Sequence, residues 1–320
     1  MKLSIIIPVY NEEQSIPLLH ETIQNALSHV QYTWEVVYVD DGSKDKSLQA
    51  LEEVSKNDEK HVRVISLRRN FGQTAAIAAG IDHSVGEIIV PMDADLQNDP
   101  IDIPMMLEKI EEGYDLVSGW RKRREDTFLT RTLPSRIANG LISWVTGVHL
   151  HDYGCTLKAY RREVITGFRL YGEMHRFIPV YANSVGARIL EVPVNHHPRK
   201  FGQAKYGLER TIKVVLDLLT VKFLNSYASK PIYLFGGAGS GLIAIGILAL
   251  IYLFVRRIFW GISPFDSPIF PVSIMTVIMG FQSILMGLIA ELLARTYHES
   301  QGKVPYSVRK TINLETSDPE

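Results

Sequence analysis

Cysteine occurs once in the 320 residues, at Cys155. That excludes an internal disulfide framework and a zinc cluster built on cysteines, and it fits a reducing compartment. Charge of one sign is not in excess. The 34 Lys and Arg face 35 Asp and Glu, for a formal net charge of -1, which gives no reason to expect nucleic acid as a partner. The apolar run at the start ends at Pro8. It is too short for the core of a signal peptide and reads as a first strand. No Gly-x-Gly-x-x-Gly follows it, which disfavours a dinucleotide-binding domain. Long hydrophobic runs are missing up to about Lys230 and are plentiful beyond it.

What is present first is alternation. Leu3–Val9, Trp34–Val39, Val62–Leu67 and Ile88–Met92 are Val/Ile-rich, as strands buried on both faces should be. Helical stretches separate them, ending near Ser28 and covering Gln73–Ser84, and Ser43 is placed to cap the helix after the second strand. A helix over Ile101–Glu112 and a strand over Leu116–Trp120 follow. A short strand is expected at Thr156–Tyr160. The pattern predicts an α/β fold with a doubly wound, mostly parallel sheet.

Polar residues stand at the carboxyl ends of these strands, where open α/β sheets bind ligands. Asn11 and Glu12 follow the first, Asp40 and Asp41 the second, and Asp93, Asp95 and Gln97 the fourth. Two carboxylates and an amide oxygen suit a hard cation that keeps positions open for water and phosphate. The other reading of Asp93 and Asp95 is a simple strand end. Asp40 and Asp41 suit a ribose hydroxyl or a base N–H, or an ordinary turn before Gly42-Ser43. Asp99 with Pro100 marks the start of the next helix.

The basic stretch Arg121–Arg136 reads either as a phosphate site near a membrane surface or as a solvated loop. Asp152 is a candidate base or orienting carboxylate. His196 and His197 are adjacent and would point oppositely on a strand, which is poor geometry for one metal. Residues 199–206 form a basic, glycine-containing loop suited to closing over a diphosphate. Leu208, Ile212, Val215, Leu219 and Phe223 share one helical face, which predicts an interfacial amphipathic helix over 207–230. Ile232–Val255 and Ile269–Leu293 are long enough to span a bilayer, with Arg256-Arg257 in a short connecting loop. The cluster of glycines at 236–241 lacks a preceding strand and a following lysine, so it reads as helix packing. Lys and Arg are richer on the outer flanks than in the connecting loop, which places the catalytic domain and both termini in the cytoplasm. The expected division is 1–206 catalytic, 207–230 juxtamembrane helix, 231–294 two membrane spans and 295–320 cytoplasmic tail, polar from Asn313.

Pro8-Val-Tyr-Asn11-Glu12, Asp40-Asp41-Gly-Ser43, Asp93-Ala-Asp95-Leu-Gln97 and Arg199-x-x-Gly-x-x-Lys205-Tyr206 occur in that order. Together they resemble the family 2 glycosyltransferases of GT-A fold, in the branch that makes polyprenyl-phosphate sugars. Dolichyl-phosphate mannose synthase belongs to that branch, and the two spans resemble the bactoprenol (undecaprenyl-phosphate) glucosyltransferases. The resemblance implies that Pro8, Tyr10, Glu12, Asp40, Asp41 and Asp93 line the nucleotide. It implies that Asp93, Asp95 and Gln97 hold Mg²⁺ or Mn²⁺ on the diphosphate. Arg121, Arg131 and Ser135 would meet phosphates, the last two nearest the lipid, and Arg199 and Lys205 would close over the donor. Relatives often carry Ser where this chain has Ala204. The Gln-x-x-Arg-Trp of processive polysaccharide synthases is absent, which argues for one sugar per acceptor.

The expected activity is therefore inverting transfer of a hexose from a nucleotide sugar to polyprenyl phosphate at the inner membrane, as in cell-envelope glycosylation. Glucose from UDP-glucose is the expected donor, with Asp95, Asp152 and Arg121 as the catalytic set. Alternatives are mannose, GlcNAc or an aminosugar, another lipid acceptor, or a non-catalytic two-pass scaffold partnering a flippase. Small residues in the spans permit a homo-oligomer.

Overall fold

Lys2–Val9 (β1), Thr33–Asp40 (β2), Val62–Leu67 (β3) and Ile88–Pro91 (β4) form where the sequence carries its apolar runs. Ile16–Leu27 (α1), Ser47–Asn57 (α2) and Gln73–His83 (α3) connect them in turn. The computed structural model describes residues 2–122, 139–140, 142–144, 146–166, 174–198, 200–201, 231–300 and 305–314. These residues belong to two compact units, one of Met1–Val221 with Val304–Glu320 and one of Lys222–Lys303.

The first unit is organised on one eight-stranded sheet. Its other strands are Leu116–Trp120 (β5), Lys158–Arg161 (β6), Ile189–Pro193 (β7) and Val308–Ile312 (β8). The order is β7-β5-β6-β4-β1-β2-β3-β8. The pairs β1/β2, β2/β3, β1/β4 and β5/β7 are parallel. The pairs β4/β6, β5/β6 and β3/β8 are antiparallel. The parallel centre is the doubly wound part, and β6 enters between β4 and β5 in the opposite sense.

Consecutive Ile5, Ile6 and Ile7 are all fully buried, because helices cover both faces of β1. Each such side chain contributes roughly 1.5–3 kcal/mol through its burial. Helix α1 buries Ile16, Leu19, Ile23 and Leu27, the spacing of a single helical face. The connections diverge on either side of β1: one leads through α1 to β2, the other through α3 to β4. That divergence is the topological switch point, and the crevice lies at the carboxyl ends of β1, β2 and β4.

Of three local expectations, one holds and two are revised. Ser43 does not cap α2, which begins at Ser47; its Oγ instead accepts from Asn11 N at 3.0 Å. Asp99 does cap as expected, accepting from Ile101 N at 3.1 Å ahead of Ile103–Glu111 (α4). Residues 308–312, placed in a tail by the sequence, form the edge strand β8 against β3.

The second unit is a helical pair, Pro231–Trp260 (α7) and Ile269–Ser300 (α8); Arg162–Ile165 (α5) and Ile178–Ser184 (α6) precede them in the first unit. Within the pair, Phe235–Trp260 and Ile269–Ala290 are 26 and 22 residues of apolar helix. At 1.5 Å per residue either exceeds the ~30 Å of a bilayer's hydrocarbon core. Helix α7 continues through Trp260, so Arg256 and Arg257 lie on its last turns rather than in a loop. The two backbones touch at glycine. A Cβ on Gly239 would sit 2.5 Å from the Gly280 carbonyl oxygen, and one on Gly280 would sit 2.6 Å from that of Gly239. Gly239 of the glycine cluster thus serves close helix packing, while Gly237 and Gly241 face open space.

Candidate active site

The β1–α1 and β2–α2 loops are stapled together at the crevice. Lys44 N donates to Asn11 Oδ1 at 2.8 Å, and Glu12 N donates to Ser47 Oγ at 2.8 Å. Asn11 holds a left-handed φ of 53°, a conformation Asn tolerates better than most residues. Glu12 is itself buried, and its Oε2 accepts from Ser15 Oγ at 3.1 Å. Pro8 and Tyr10 are half-buried beside this join.

Asp40 and Asp41 are both buried, 2% and 3% exposed. Asp40 accepts from Ser43 N and from Ser66 Oγ, each at 3.1 Å. Asp41 accepts from Phe71 N at 2.7 Å and Gly72 N at 2.9 Å. It is therefore a bracket that fixes the backbone leading into α3. Gly42 makes this possible. Its φ is +66°, and a Cβ there would meet the backbone of Arg69 at 2.5 Å. Burial raises the Asp41 carboxyl above its ordinary range, against the two N–H donors that lower it.

Strand β4 stops at Pro91, so Asp93, Asp95 and Gln97 lie on the turn that follows it. Asp93 is held on both oxygens, by Gln73 Nε2 at 2.7 Å and by Thr156 Oγ1 at 2.6 Å. Asp95 accepts from Gln97 N at 3.2 Å. Between them and Gln97 sits Leu96, buried and at φ +62°. A left-handed leucine costs roughly 1–3 kcal/mol and marks a turn held in place by its surroundings. Asn98 pairs with His196 as an isolated bridge. His197 N donates to Gln97 O at 2.8 Å, and its Nε2 contacts Asp99 at 2.9 Å. The two histidines are thus structural, bracing the turn from the segment after β7.

The donor chemistry fits a hard divalent ion. Asp93 and Asp95 are both partly exposed, and each carboxylate oxygen has lone pairs beyond the bonds described. Among the described residues no group of three or more His, Cys, Asp or Glu side chains is arranged to hold a metal. A set of two carboxylates and an amide leaves the remaining positions to water and phosphate, which suits Mg²⁺ or Mn²⁺ better than a closed structural site.

Arg121, just after β5, reaches Asp152 in a fork: Nε to Oδ2 at 2.7 Å and Nη2 to Oδ1 at 3.0 Å. Gly154 N also donates to Oδ1, at 3.1 Å. Asp152 is 2% exposed, so it orients a guanidinium and is poorly placed to take a proton from a substrate. Burial opposes the charge on Arg121, but the hydrogen bonds and charge of Asp152 prevail and hold its pKa above the ordinary value. Arg131, Ser135, Arg199, Lys205 and the 207–230 helix lie outside the described residues.

Several participants escaped the sequence reading. Gln73 and Thr156 fix Asp93. Lys158, 2% exposed on β6, donates to the carbonyls of Tyr153 at 3.3 Å and of Cys155. His175 Nδ1 contacts Thr74 Oγ1 at 2.7 Å, joining the turn Met174–Phe177 to the start of α3. A buried lysine inside an apolar strand was the one available signal, since such a cation must have close oxygen partners.

Known proteins share this chain's sequence and fold. The model of Glycosyl transferase family 2 matches residues 4–168. The dodecaprenyl-phosphate galacturonate synthase of Rhizobium johnstonii is 43% identical over 316 residues, 98% of this chain and 94% of that protein. The undecaprenyl-phosphate 4-deoxy-4-formamido-L-arabinose transferase of Proteus mirabilis is 36% identical over 314 residues, again 98% and 94%. Among solved structures, glucosyl-3-phosphoglycerate synthase from Mycobacterium tuberculosis, in complex with Mn²⁺, UDP and phosphoglyceric acid, superposes with a TM-score of 0.53. That match covers 69% of this chain and 78% of the other at 18% identity, a likeness of fold.

Proposed function

The chain belongs to glycosyl transferase family 2 and is a glycosyltransferase, and on that premise we propose that it carries a sugar from a nucleoside diphosphate to a polyprenyl phosphate, inverting the anomeric carbon. The observation that carries the acceptor is that relatives matching 98% of the chain are named for dodecaprenyl- and undecaprenyl-phosphate products. The same names redirect the sugar. Glucose, expected from the two spans, is in neither name. The reading adopted is a hexuronate donor, as the 43% identical relative is a galacturonate synthase. A 4-formamido-arabinose donor is the second reading, supported by the 36% identical relative.

The nucleophile is an oxygen of the acceptor phosphate. A phosphomonoester has its second pKa near about 6 and is largely dianionic at neutral pH, so no strong base is required. That agrees with an Asp152 committed to Arg121. The difficulty is bringing two anions together, and Arg121 places positive charge where they meet. Asp93, Asp95 and Gln97 would hold Mg²⁺ or Mn²⁺. When bound, the ion neutralises charge on the departing diphosphate. The stapled loops carrying Tyr10, Glu12, Asp40 and Asp41 form the wall for the nucleoside. The two apolar helices hold the enzyme in the inner membrane, with the catalytic unit and both termini on the cytoplasmic side.

The test is transfer in detergent to undecaprenyl phosphate from labelled UDP-galacturonate, UDP-4-deoxy-4-formamido-L-arabinose and UDP-glucose, with and without EDTA. Chloroform-extractable label from the acidic donor, lost with EDTA and lost in Asp95→Asn, is the expected result. Label from UDP-glucose alone would overturn the assignment of sugar. No lipid product from any of the three would overturn the assignment of acceptor.

A further inference from the structure

The Glu191 carboxylate closes on two successive backbone N–H groups. Its Oε2 accepts from His151 N at 3.1 Å, and its Oε1 accepts from Asp152 N at 3.0 Å. His151 Nδ1 contacts Oε2 as well, at 2.6 Å. The Glu191 side chain is 11% exposed, so these bonds are largely shielded from water, where each carries more weight. Glu191 belongs to β7 and pairs with Ser118 of β5. Arg121 is the residue with which the chain leaves β5.

The same ladder therefore carries both ends of the Arg121–Asp152 pair. Arg121 continues from β5, and Asp152 hangs by its own N–H from a side chain of β7. Asp152 stands in a segment without helix or strand. Its carboxylate takes Arg121 Nε at 2.7 Å and Nη2 at 3.0 Å. Such a fork works at one distance and in one plane, so it demands a fixed backbone beneath the carboxylate. Gly154 N also donates to Asp152, at 3.1 Å, but that bond is local and moves with the loop. The bonds from Glu191 tie the loop to the sheet. Glu191 also holds the imidazole of His151, whose ring stacks on Trp120 with centroids 4.3 Å apart and planes 17° apart. Trp120 directly precedes Arg121, so the arginine is steadied from the same glutamate on its own side.

We propose that Glu191 is a positioning residue for sugar transfer, setting the guanidinium plane of Arg121 by holding the backbone of His151 and Asp152. This deepens the function proposed above and rests on it for the anions that Arg121 then meets. Glu191 lies outside every sequence motif that pointed to the site. A carboxylate is required there, not merely an acceptor. In Glu191→Gln one oxygen remains, and an NH₂ group is turned against the second backbone N–H. In Glu191→Asp both oxygens remain, on a stem one methylene shorter.

The experiment follows Arg121 itself. The full chain in detergent is labelled with ¹⁵N-arginine, and the Arg121 Nε–H resonance is assigned by its loss in Arg121→Lys. A charge-assisted bond to carboxylate is short and strong, and it draws the proton downfield. The expected result is a downfield resonance that moves toward the position of exposed arginines in Glu191→Gln, as it does in Asp152→Asn, with Glu191→Asp in between. Arg162 is the control, since its Nε donates to Gly86 O at 2.6 Å, a bond in which the 151–152 turn has no part. An Arg162 resonance displaced as far as that of Arg121 overturns the proposal, because a merely structural glutamate would loosen both. An unmoved Arg121 resonance in Glu191→Gln overturns it too.

Turnover supplies the second readout. In Glu191→Gln, kcat for transfer to polyprenyl phosphate should fall about tenfold or more. Added to Asp152→Asn, the same substitution should cost less than about twofold further, since residues that act through one pair are not additive. Losses that multiply overturn the proposal, as does full turnover with Arg121 displaced. If wild-type protein passes no sugar to the lipid while the resonances behave as expected, the proposed function fails and the placing of Arg121 by Glu191 stands.

Discussion

Thr156 Oγ1 donates to Asp93 Oδ2 at 2.6 Å, across sixty-three residues of sequence and between neighbouring antiparallel and parallel parts of the sheet. It is one of two side-chain bonds that hold Asp93 still, and it is the easier to remove without disturbing a helix. In Thr156→Val the carboxylate keeps, among the described residues, Gln73 alone. We expect the divalent-ion concentration for half-maximal transfer to rise tenfold or more, since a hydrogen bond to a charged group contributes about 1.5–3 kcal/mol. Thr156→Ser should restore it. A metal titration of activity checks this, and an unchanged titration in the valine variant would remove Thr156 from the site.

Asp152→Asn tests orientation against base catalysis. Removing one partner of a buried ion pair costs roughly 3–5 kcal/mol, and less here because the Arg121 side chain is 18% exposed. Transfer should fall by about a hundredfold or more, while the residual rate keeps the wild-type shape of its pH profile. Loss of a limb from that profile would mean that Asp152 titrates as a base.

Stability should depend on pH through His20. Burial lowers its pKa below the ordinary 6.5, outweighing the pull of Asp58. The folded state therefore binds fewer protons than the unfolded chain, and stability present above pH 6.5 is lost as the pH falls through that value. The apparent melting temperature in detergent should drop between about pH 7.5 and 5.5, and His20→Gln should flatten the drop. An identical slope in the variant would place the sensitivity elsewhere.

Gly280→Val should separate the apolar helices. A Cβ there meets the Gly239 carbonyl at 2.6 Å, a contact that backbone must yield to. The expected outcome is a lower melting temperature in detergent with nucleotide binding retained, since the substitution lies in the helical unit. A full loss of UDP binding would contradict that division.

Much of the fold can be read from residue pattern alone. Strands β1 to β4 are short β-branched runs, and burial on both faces leaves such strands little freedom to be anything else. The carboxylates at their ends mark the crevice. Three features were not legible, each for its own reason. The entry of β6 between β4 and β5 is a matter of strand order, which periodicity does not encode. Strand β8, Val-Arg-Lys-Thr-Ile, has exposed charges at Arg309 and Lys310, as edge strands do, so it resembles a polar tail. The spacing of Asp93, Asp95 and Gln97 read as a metal set or a simple strand end, and nothing in it reveals the left-handed Leu96 that sets the turn after Pro91. Asp40 and Asp41 by themselves read first as an ordinary turn; Asp40 does accept from the nearby Ser43 N as well as from Ser66 Oγ, whereas Asp41 is held by the distant backbone of Phe71 and Gly72, which no local pattern encodes.

The return of β8 to β3 has a consequence for how the protein is made. The two apolar helices interrupt a sheet whose last strand is synthesised after them. Lys310 then pairs with Glu52 at 2.8 Å, Tyr306 with Asp82 at 2.8 Å, and Asn313 with the carbonyls of Ser55 and Val62. Residues 231–300 separate the two strands in the chain, so β3 waits for both long helices to be made before its partner exists. Until then β3 is an open edge, ready to recruit any other strand.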